Sequence, residues 1–571
     1  MRIRRLTLSL AVLCTAAVPL CATAQPAPPA DARPRLEVIE DLSESLANDV
    51  LDLSVAVRDR SWERIERFFA DSVGGAALPN VPGALAPKVK WLSDRPWTAP
   101  SSAPATTRTR AQFLAEWQTL LAHYREIEDV RFKVRGATFA DSAQAVMTAN
   151  VPTAMPGATG RARIGFWIVG RGPEGTREWL RGGFEAEVSY PKGGPWHIAA
   201  IDKPQVGSMT ASKDLFSEVA APAGVSLRIP AYGTPQNSGF VWKGAAAADV
   251  NNDGWVDLFI TGLTQNYLYL NDGKGRFRDA SDEAGVKALA SGSGPLLADI
   301  DNDGDLDVFI AAVGPQVLLE NRLIPDGTLR FEDVSAESGV AVTATGFSAA
   351  AADVNMDGRV DFYVASYNAY GRVTPNSWSA ATNGTPNLLF VSQPKGGYRE
   401  EAAKWGVADG RWSYAAVFAD LTEDGRPDLY VANDFGEKGF FVNQGTTFRD
   451  EARERGVLDP GNGMGVAVGD YNNDGRLDLH VTNMSSTAGN RILGRMYPGA
   501  KPGEQVLVKL ASGNAMFENL GAGRFKEVTQ EVGGLSGMWA WGGGFFDFDN
   551  DGVEDLFSPN GFISGKSMKD T

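Results

Sequence analysis

One acidic string recurs six times along this chain, and that recurrence limits what it can fold into. The copies begin at Asp249, Asp299, Asp353, Asp420, Asp470 and Asp547 and read DVNNDGWVD, DIDNDGDLD, DVNMDGRVD, DLTEDGRPD, DYNNDGRLD and DFDNDGVED. They are separated by 50, 54, 67, 50 and 77 residues, the spacing of a repeat architecture whose units bury their apolar faces against one another. A second element precedes each string, an aromatic residue, an acidic stretch and usually Gly-Val, as in Phe277 to Val286, Phe331 to Val340, Tyr398 to Val407 and Phe448 to Val457. The last copy, Phe525 to Gly534, ends in Gly. From the end of each of these five elements to the next string is 13 residues, an offset that ties the two elements into one unit. The exception is the first copy, Phe216 to Val225, which stands 24 residues before Asp249. Short β-type runs such as Leu258-Phe259-Ile260 and Tyr267-Leu268-Tyr269 fill the intervals, so the pattern predicts blades of about four strands each. The expectation is a mainly β fold, a six- or seven-bladed β-propeller over residues 210–571; a linear array of independent modules is the alternative.

Within each string, oxygen-bearing side chains fall at positions 1, 3, 5 and 9, and position 7 can offer its carbonyl. Calcium takes six to eight oxygens, and a Gly at position 6 permits the sharp turn around an ion. The candidate ligand sets are Asp249, Asn251, Asp253, Trp255 and Asp257; Asp299, Asp301, Asp303, Asp305 and Asp307; and Asp353, Asn355, Asp357, Arg359 and Asp361. The later three are Asp420, Thr422, Asp424, Arg426 and Asp428; Asp470, Asn472, Asp474, Arg476 and Asp478; and Asp547, Asp549, Asp551, Val553 and Asp555. An EF-hand would need a carboxylate at position 12, where this chain has Ile260, Ile310, Val364, Val431, Val481 and Ser558, so each loop is expected to run into a strand. Strings two and six carry four carboxylates at positions 1, 3, 5 and 9 and are the expected strong sites, whereas Thr422 makes the fourth the weakest. At millimolar calcium and dissociation constants near 10⁻⁴ M, each site contributes roughly 1.4 kcal/mol and six contribute about 8.

These loops, the Phe-to-Gly-Val element and the small-residue runs before the loops (Gly244 to Ala248, Gly463 to Gly465) make the chain resemble the FG-GAP/VCBS repeat family, most closely bacterial relatives of cartilage acidic protein. Integrin α-subunit propellers are similar and carry calcium loops of this kind. The resemblance implies calcium ligands at positions 1, 3, 5 and 9, up to six ions, and a propeller over about residues 210 to 571. The sequence ends at Thr571, soon after the last loop, so the outer strands of the final blade are expected from elsewhere, with Phe216 to Val225 the candidate for closing the ring.

Upstream, Arg2, Arg4 and Arg5, an apolar run from Leu6 to Leu20 and Ala22-Thr23-Ala24 read as a signal peptide over residues 1–24, followed by a Pro/Ala linker over 25–35. The expected location is the periplasm, the cell surface or the extracellular space, with no membrane span once the signal is removed. Both cysteines, Cys14 and Cys21, lie inside the signal, so rigidity must come from something other than disulfides. Losing the signal takes the formal net charge from −16 to −19, which argues against nucleic acid or anionic membrane as partner. Residues 36–205 read as an α+β domain. Helix is expected over 36–72 and Ala111 to Glu126, with a long loop to about 109 between them. Strands are expected over Val130 to Val134, Gln144 to Ala149, Ala162 to Val169, Trp179 to Ser189 and Trp196 to Ile201. That order looks NTF2-like, and Trp167, Trp179 and His197 would line a pocket under its helices or simply pack in the core.

No nucleophile elbow, phosphate loop, zinc pattern or histidine cluster occurs, His123, His197 and His480 being the only three histidines. The leading functional expectation is an adhesion or binding scaffold for protein or glycan, with calcium structural. Two insertions, Asn368 to Asn387 and Met484 to Ala515, interrupt the frame and are candidate recognition segments. The alternatives are a polysaccharide lyase or hydrolase, and small-molecule capture by the N-terminal domain.

Overall fold

The second strand of each of the first five repeats is a mainly apolar run without alternation, and that pattern demands burial on both faces. In the computed structural model, which describes residues 32–101, 107–148, 151–226, 243–262, 265–290, 292–368, 373–500, 506–534 and 539–559, these strands are the centres of small antiparallel sheets. The signal peptide, its two cysteines and residues 25–31 of the linker lie outside the described residues.

Five sheets repeat one meander of four strands. The first runs Ala245–Ala248, Asp257–Thr261, Asn266–Asn271 and Phe277–Asp279. The next three begin at Gly294, Thr343 and Ser413, and the fifth at Gly463. Val313–Pro315 adds an edge to the third, and the sixth consists of Gly544–Phe546 and Asp555–Phe557. In every sheet the acidic string is the turn between strands one and two, so Asp361 pairs with Ala352 beside the turn and Ser366 with Gly346 at the far end.

The sheets stack face to face through shared cores. Phe309 and Leu318 of the second sheet pack with Phe362 and Phe390 of the third, with the Phe309 and Phe362 rings stacked at 4.4 Å. Tyr363 and Leu389 then meet Leu429 and Phe441 of the fourth, whose other face joins Leu479 and Phe517 of the fifth. Burying a side chain of this size is worth about 1.5–3 kcal/mol, and these contacts exist only between repeats. Independent modules on a string are therefore excluded for sheets one to five.

The early copy, Phe216 to Val225, occupies the place of a fourth-strand element. A Cβ on Gly224 would lie 2.6 Å from the Phe277 carbonyl oxygen, the relation that Gly339 bears to Tyr398 (2.7 Å) and Gly456 to Phe525 (2.6 Å). At its other end the Phe216 ring lies 5.7 Å from Phe548 in the sixth turn, so this copy touches both the first and the last sheet.

The N-terminal elements are α1 (Ala32–Arg58), α2 (Trp62–Ile65), β1 (Phe69–Gly75), β2 (Val81–Pro82), β3 (Ala86–Val89), β4 (Leu92–Thr98), β5 (Thr107–Thr109), α3 (Arg110–Ala122), β6 (Glu126–Phe139), β7 (Ala145–Thr148), β8 (Val151–Ala154), β9 (Thr159–Arg171), β10 (Arg177–Ser189) and β11 (His197–Ala211). Sheet order is β2-β4-β11-β10-β9-β6, with β1 parallel to the start of β11. Leu42, Leu46, Val50 and Leu53 of α1 and Phe113, Trp117 and Leu120 of α3 bury one face of this sheet, meeting Phe132, Ile164, Phe166, Ile168 and Leu180. Three expectations need correction. The first helix begins at Ala32, inside the expected linker, and its long run stops at Arg58; Phe69 opens a strand because the apolar spacing there serves β1. The expected long loop to 109 contains β2 to β5, short strands of Pro, Thr and charged residues that carry no continuous apolar run. Trp167 and Trp179 line no enclosed pocket and are not core: both stand on the sheet face away from the helices, because they alternate with the buried Phe166, Ile168 and Leu180.

Candidate functional site: the acidic rim and the aromatic rim

The six acidic turns share one backbone. Position 4 is left-handed in each, at φ 57° for Asn252, 62° for Asn302, 61° for Met356 and Glu423, 57° for Asn473 and 55° for Asn550. Position 6 follows with φ between 83° and 100°, which only Gly adopts without strain. Asn recurs at position 4 because it tolerates this region, a signal in the sequence that the ligand pattern overshadowed.

The first-position carboxylate caps the turn. Asp249 accepts from the Asp253 N–H at 3.1 Å and the Gly254 N–H at 2.7 Å, and Asp353, Asp420, Asp470 and Asp547 repeat both bonds at 2.6–3.0 Å. Position 5 accepts from the N–H of position 7 in all six, as when Asp551 receives Val553 at 2.9 Å. In turns three, four and five the seventh residue is Arg, whose guanidinium also pairs with the fifth-position carboxylate (Arg359–Asp357, Arg426–Asp424, Arg476–Asp474).

The ninth-position Asp is the buried anchor. Asp307 accepts the Ile300 N–H at 3.0 Å and the Asn321 N–H at 2.7 Å; Asp361 accepts Val354 and Ser392; Asp428 accepts Leu421, Thr422 and Asn443. Each of these carboxylates thus joins its own turn to the third strand of its sheet. The third-strand Asn continues the stitch into the preceding sheet, with Asn321 donating to the Val250 carbonyl at 3.0 Å, Asn443 to Val354 at 2.9 Å and Asn519 to Leu421 at 3.2 Å. Neighbouring turns also bond directly, Asn252 to the Gly304 carbonyl, Asn302 to Gly358 and Asn473 to Gly552, which sets these turns along one rim.

Two turns gather carboxylates closely enough to hold a cation: Asp299, Asp301 and Asp307 in the second, and Asp547, Asp549 and Asp551 in the sixth, their oxygens within 4.8 Å of one another. Asp305, counted in the sequence only for its carbonyl, adds a fifth carboxylate to the second turn and is itself buried, with Oδ2 accepting the Ile324 N–H at 2.7 Å and Oδ1 lacking a hydrogen bond. Burial, reinforced by its neighbours, pushes the Asp307 carboxyl up to about 8 and Asp305 up to about 6. In the sixth turn Asp549 Oδ2 accepts the Trp91 indole N–H at 2.5 Å, so the N-terminal sheet reaches this site.

Second strands leave the acidic turns, so both insertions depart from the opposite ends of their sheets. The first forms part of an aromatic cluster there. Tyr367 stacks on Phe347 at 4.6 Å and meets Trp412 at 4.9 Å; Trp378 lies 5.4 Å from Phe435, and Tyr414 lies 5.9 Å from Trp541. The cluster is fixed from below by Trp412 donating to Asn383 at 2.8 Å and by the Tyr367 hydroxyl donating to Asp434 at 2.5 Å. Burial pushes Asp434 up to about 6, while the two other buried carboxylates nearby face cations, Asp409 with Arg411 at 2.9 Å and Asp459 with Lys438 at 3.8 Å. Trp378 remains 52% exposed, so the cluster, otherwise buried or half-buried, presents this one ring to solvent. The second insertion does something else. Its helix Thr487–Met496 sends Arg491 and Arg495 to Glu40 of α1, and Arg495 also donates to Ser43 Oγ at 2.7 Å and the Ala137 carbonyl at 2.9 Å.

His197 sits at the start of β11, apart from Trp167 and Trp179, and His480 is buried in the fifth sheet. His123 bonds Glu178 at 2.8 Å, and Glu178 also accepts from Ser208. In this grouping the carboxylate lies between serine and imidazole, so it lacks the serine–histidine contact that activates a nucleophile.

What these observations define is a protein of stacked four-stranded sheets, each closed by an Asp/Asn-Gly turn. Three FG-GAP-like repeats are detected among them, over residues 249–310, 420–481 and 506–558, and the third turn lies outside those ranges. No curated protein matches the chain. Among solved structures, a lectin from Agrocybe aegerita that recognises non-reducing terminal N-acetylglucosamine is similar over 68% of this chain and 82% of its own, at 15% identity and a TM-score of 0.30. An α-L-arabinofuranosidase from Clostridium thermocellum covers 50% of this chain and 92% of its own at 13% identity and TM-score 0.26. A β-xylosidase/α-arabinofuranosidase from a compost microbial metagenome covers 50% and 94% at 10% identity and TM-score 0.26.

Proposed function

We propose that residues 210–571 close into a calcium-stabilised β-propeller of six or seven blades, and that this exported protein is a binding scaffold whose ligand, a glycan or a protein, sits on the rim opposite the acidic turns. The observation that carries this reading is the aromatic cluster at Trp378, Phe435, Tyr414 and Trp541, with Trp378 exposed and the other three half-buried, built on the rim where the metal-type turns are absent. Aromatic faces held rigidly by a buried core suit the apolar faces of sugar rings and the anchors of protein interfaces alike. Ring closure is supported by the contacts of Phe216 to Val225 with both end sheets. A dication fits the turns, whose donors are all hard oxygens and whose second copy crowds five carboxylates, one of them raised to about 8 by burial. The carboxylates and amides at positions 1, 3, 5 and 9 would hold it, and its charge would offset their repulsion. Export rests on the basic and apolar opening residues.

The raised Asp434 favours a second reading, a polysaccharide-cleaving enzyme using that carboxyl as an acid. A glycan array followed by incubation with the bound polymers separates the two. Binding that Trp378→Ala weakens at least tenfold, with no new reducing or unsaturated ends, supports the scaffold. Cleavage abolished by Asp434→Asn supports the enzyme, and a Trp378→Ala protein that binds as the parent does refutes the placement of the site.

A further inference from the structure

Alternation along the N-terminal strands sends one set of side chains into the helix-covered core and the other set outward. The outward set is basic and aromatic on a chain whose formal net charge is −16. Register places Arg131 of β6, Trp167 of β9, Arg181 of β10 and Gly207 of β11 in one row across the sheet. The adjacent row is Lys133, Gly165, Gly183 and Gln205, so two side-chain-free positions adjoin each other at its centre. Arg135 lies flat over the first of these glycines: a Cβ on Gly165 would come within 3.3 Å of its Nε. The Arg181 guanidinium stacks 3.5 Å from the Trp179 ring centre, and Lys133 Nζ lies 5.6 Å from that of Trp167.

Most acids of this face are engaged, Asp202 opposite Glu185 being the exception. Asp129 accepts from the Trp167 indole at 3.1 Å and lies 3.7 Å from Arg131; Glu185 pairs with Lys203 at 3.0 Å, Glu187 with Arg161 at 2.8 Å and Asp94 with Lys88 at 3.8 Å. Among the described residues no carboxylate forms an ion pair with Arg135, Arg163 or Arg181, and burial together with Arg163 lowers Arg135 from its usual value. Beside Arg181 the face deepens into a groove of about 740 Å³ lined by Trp179, Gly183, Gln205 and Met209.

From this geometry we propose that the outward face of the N-terminal sheet is a second binding site, taking an acidic polysaccharide whose carboxylate or sulfate groups meet Arg135, Arg163 and Arg181 while its sugars lie in the groove against Met209 and the Trp179 edge. The occupant follows from charge complementarity. A second copy of this chain docked on the same face would set like charges against each other. A groove beside the guanidinium groups suits a chain of sugar rings carrying the anions, and nucleic acid, also a polyanion, is separated from it by the test. Bidentate guanidinium contacts suit carboxylate and sulfate equally. The site is independent of the aromatic rim, being in a different part of the chain.

The test uses the whole mature chain, with polygalacturonate and dextran sulfate as probes, neutral dextran as control, and sodium chloride stepped from about 20 to 300 mM. Expected is salt-sensitive binding to at least one polyanion and none to dextran. The triple variant Arg135→Ser, Arg163→Ser, Arg181→Ser should bind at least tenfold more weakly with a flatter salt response, while melting as the parent does and while Trp378→Ala retains polyanion binding. Polygalacturonate alone points to a carboxylate ligand and dextran sulfate alone to a sulfate. The proposal is overturned if the triple variant binds unchanged, if neither polyanion binds, if a DNA oligonucleotide binds as tightly, or if the substitutions only dissolve a dimer.

Discussion

Substituting Asp428 by Asn tests whether the ninth-position carboxylates hold the repeats together in their own right. Asp428 is fully buried and accepts three backbone N–H groups, Leu421 at 3.1 Å and Thr422 at 2.9 Å on one oxygen and Asn443 at 2.9 Å on the other. Asn can keep only one oxygen. If that oxygen stays on the Leu421 and Thr422 side, its amide faces the Asn443 N–H, one bond is lost and two donors are buried against each other. A lost bond costs about 1 kcal/mol and a stranded donor about 1–3, so the substitution should cost roughly 3 kcal/mol. For the repeat unit of roughly 360 residues, at about 2.1 cal/mol/K per residue, that corresponds to a melting point lower by roughly 4 °C. The fourth turn is the suitable place, because Thr422 makes it the poorest cation site and separates anchoring from ligation. The assay is thermal unfolding with EDTA present throughout, with Asp424→Asn as control. Asp424 is exposed and its carboxylate bonds only the backbone N–H and guanidinium of Arg426, so its loss should cost under about 1 kcal/mol. A melting point for Asp428→Asn within about 1 °C of the parent in EDTA, with a loss only in calcium, would refute the anchoring argument.

Chelation should lower the melting temperature sharply, by the equivalent of up to about 8 kcal/mol for six sites, and Asp299→Asn with Asp301→Asn should remove the largest single part; a curve unmoved by EDTA counts against calcium. Burial lowers the His480 imidazole to about 4, so the native state refuses a proton that the unfolded chain accepts. Stability contributed by this residue is therefore intact above about 6.5 and falls as pH drops toward 4, by about 3 kcal/mol, and His480→Leu should flatten that part of a urea-midpoint profile. Replacing Arg491 and Arg495 by Ala together with Trp91→Ala, which removes the indole contact to Asp549 and Phe548, should free the N-terminal sheet from the repeats, seen as a larger radius of gyration in solution scattering and faster proteolysis between them, with each part still folded.

The order of events along the repeats was legible without coordinates, because the six strings, the 13-residue offset and the uninterrupted apolar second strands are local facts. Position 12 was enough to say that a strand follows each turn. Less was readable where one residue type serves two structural ends. Asp at position 9 reads as a ligand, yet in the fold it is also the buried acceptor that joins a turn to a strand up to 41 residues away, as Asp478 does for Asn519. The N-terminal tryptophans read as core or pocket, but which face a strand presents depends on register against its neighbours, and that face proved to be the outward one. Likewise the two insertions look equivalent as interruptions of a frame. Folding puts one into an aromatic surface and ties the other to α1 through Arg491, Arg495 and Glu40, partners some 450 positions apart that no local pattern links. Sequence by itself determined the repeat, its turns and its candidate oxygens, since each depends on neighbours within a dozen residues. Which carboxylates become anchors, which face carries charge and what the insertions touch were decided only by the packing of distant segments.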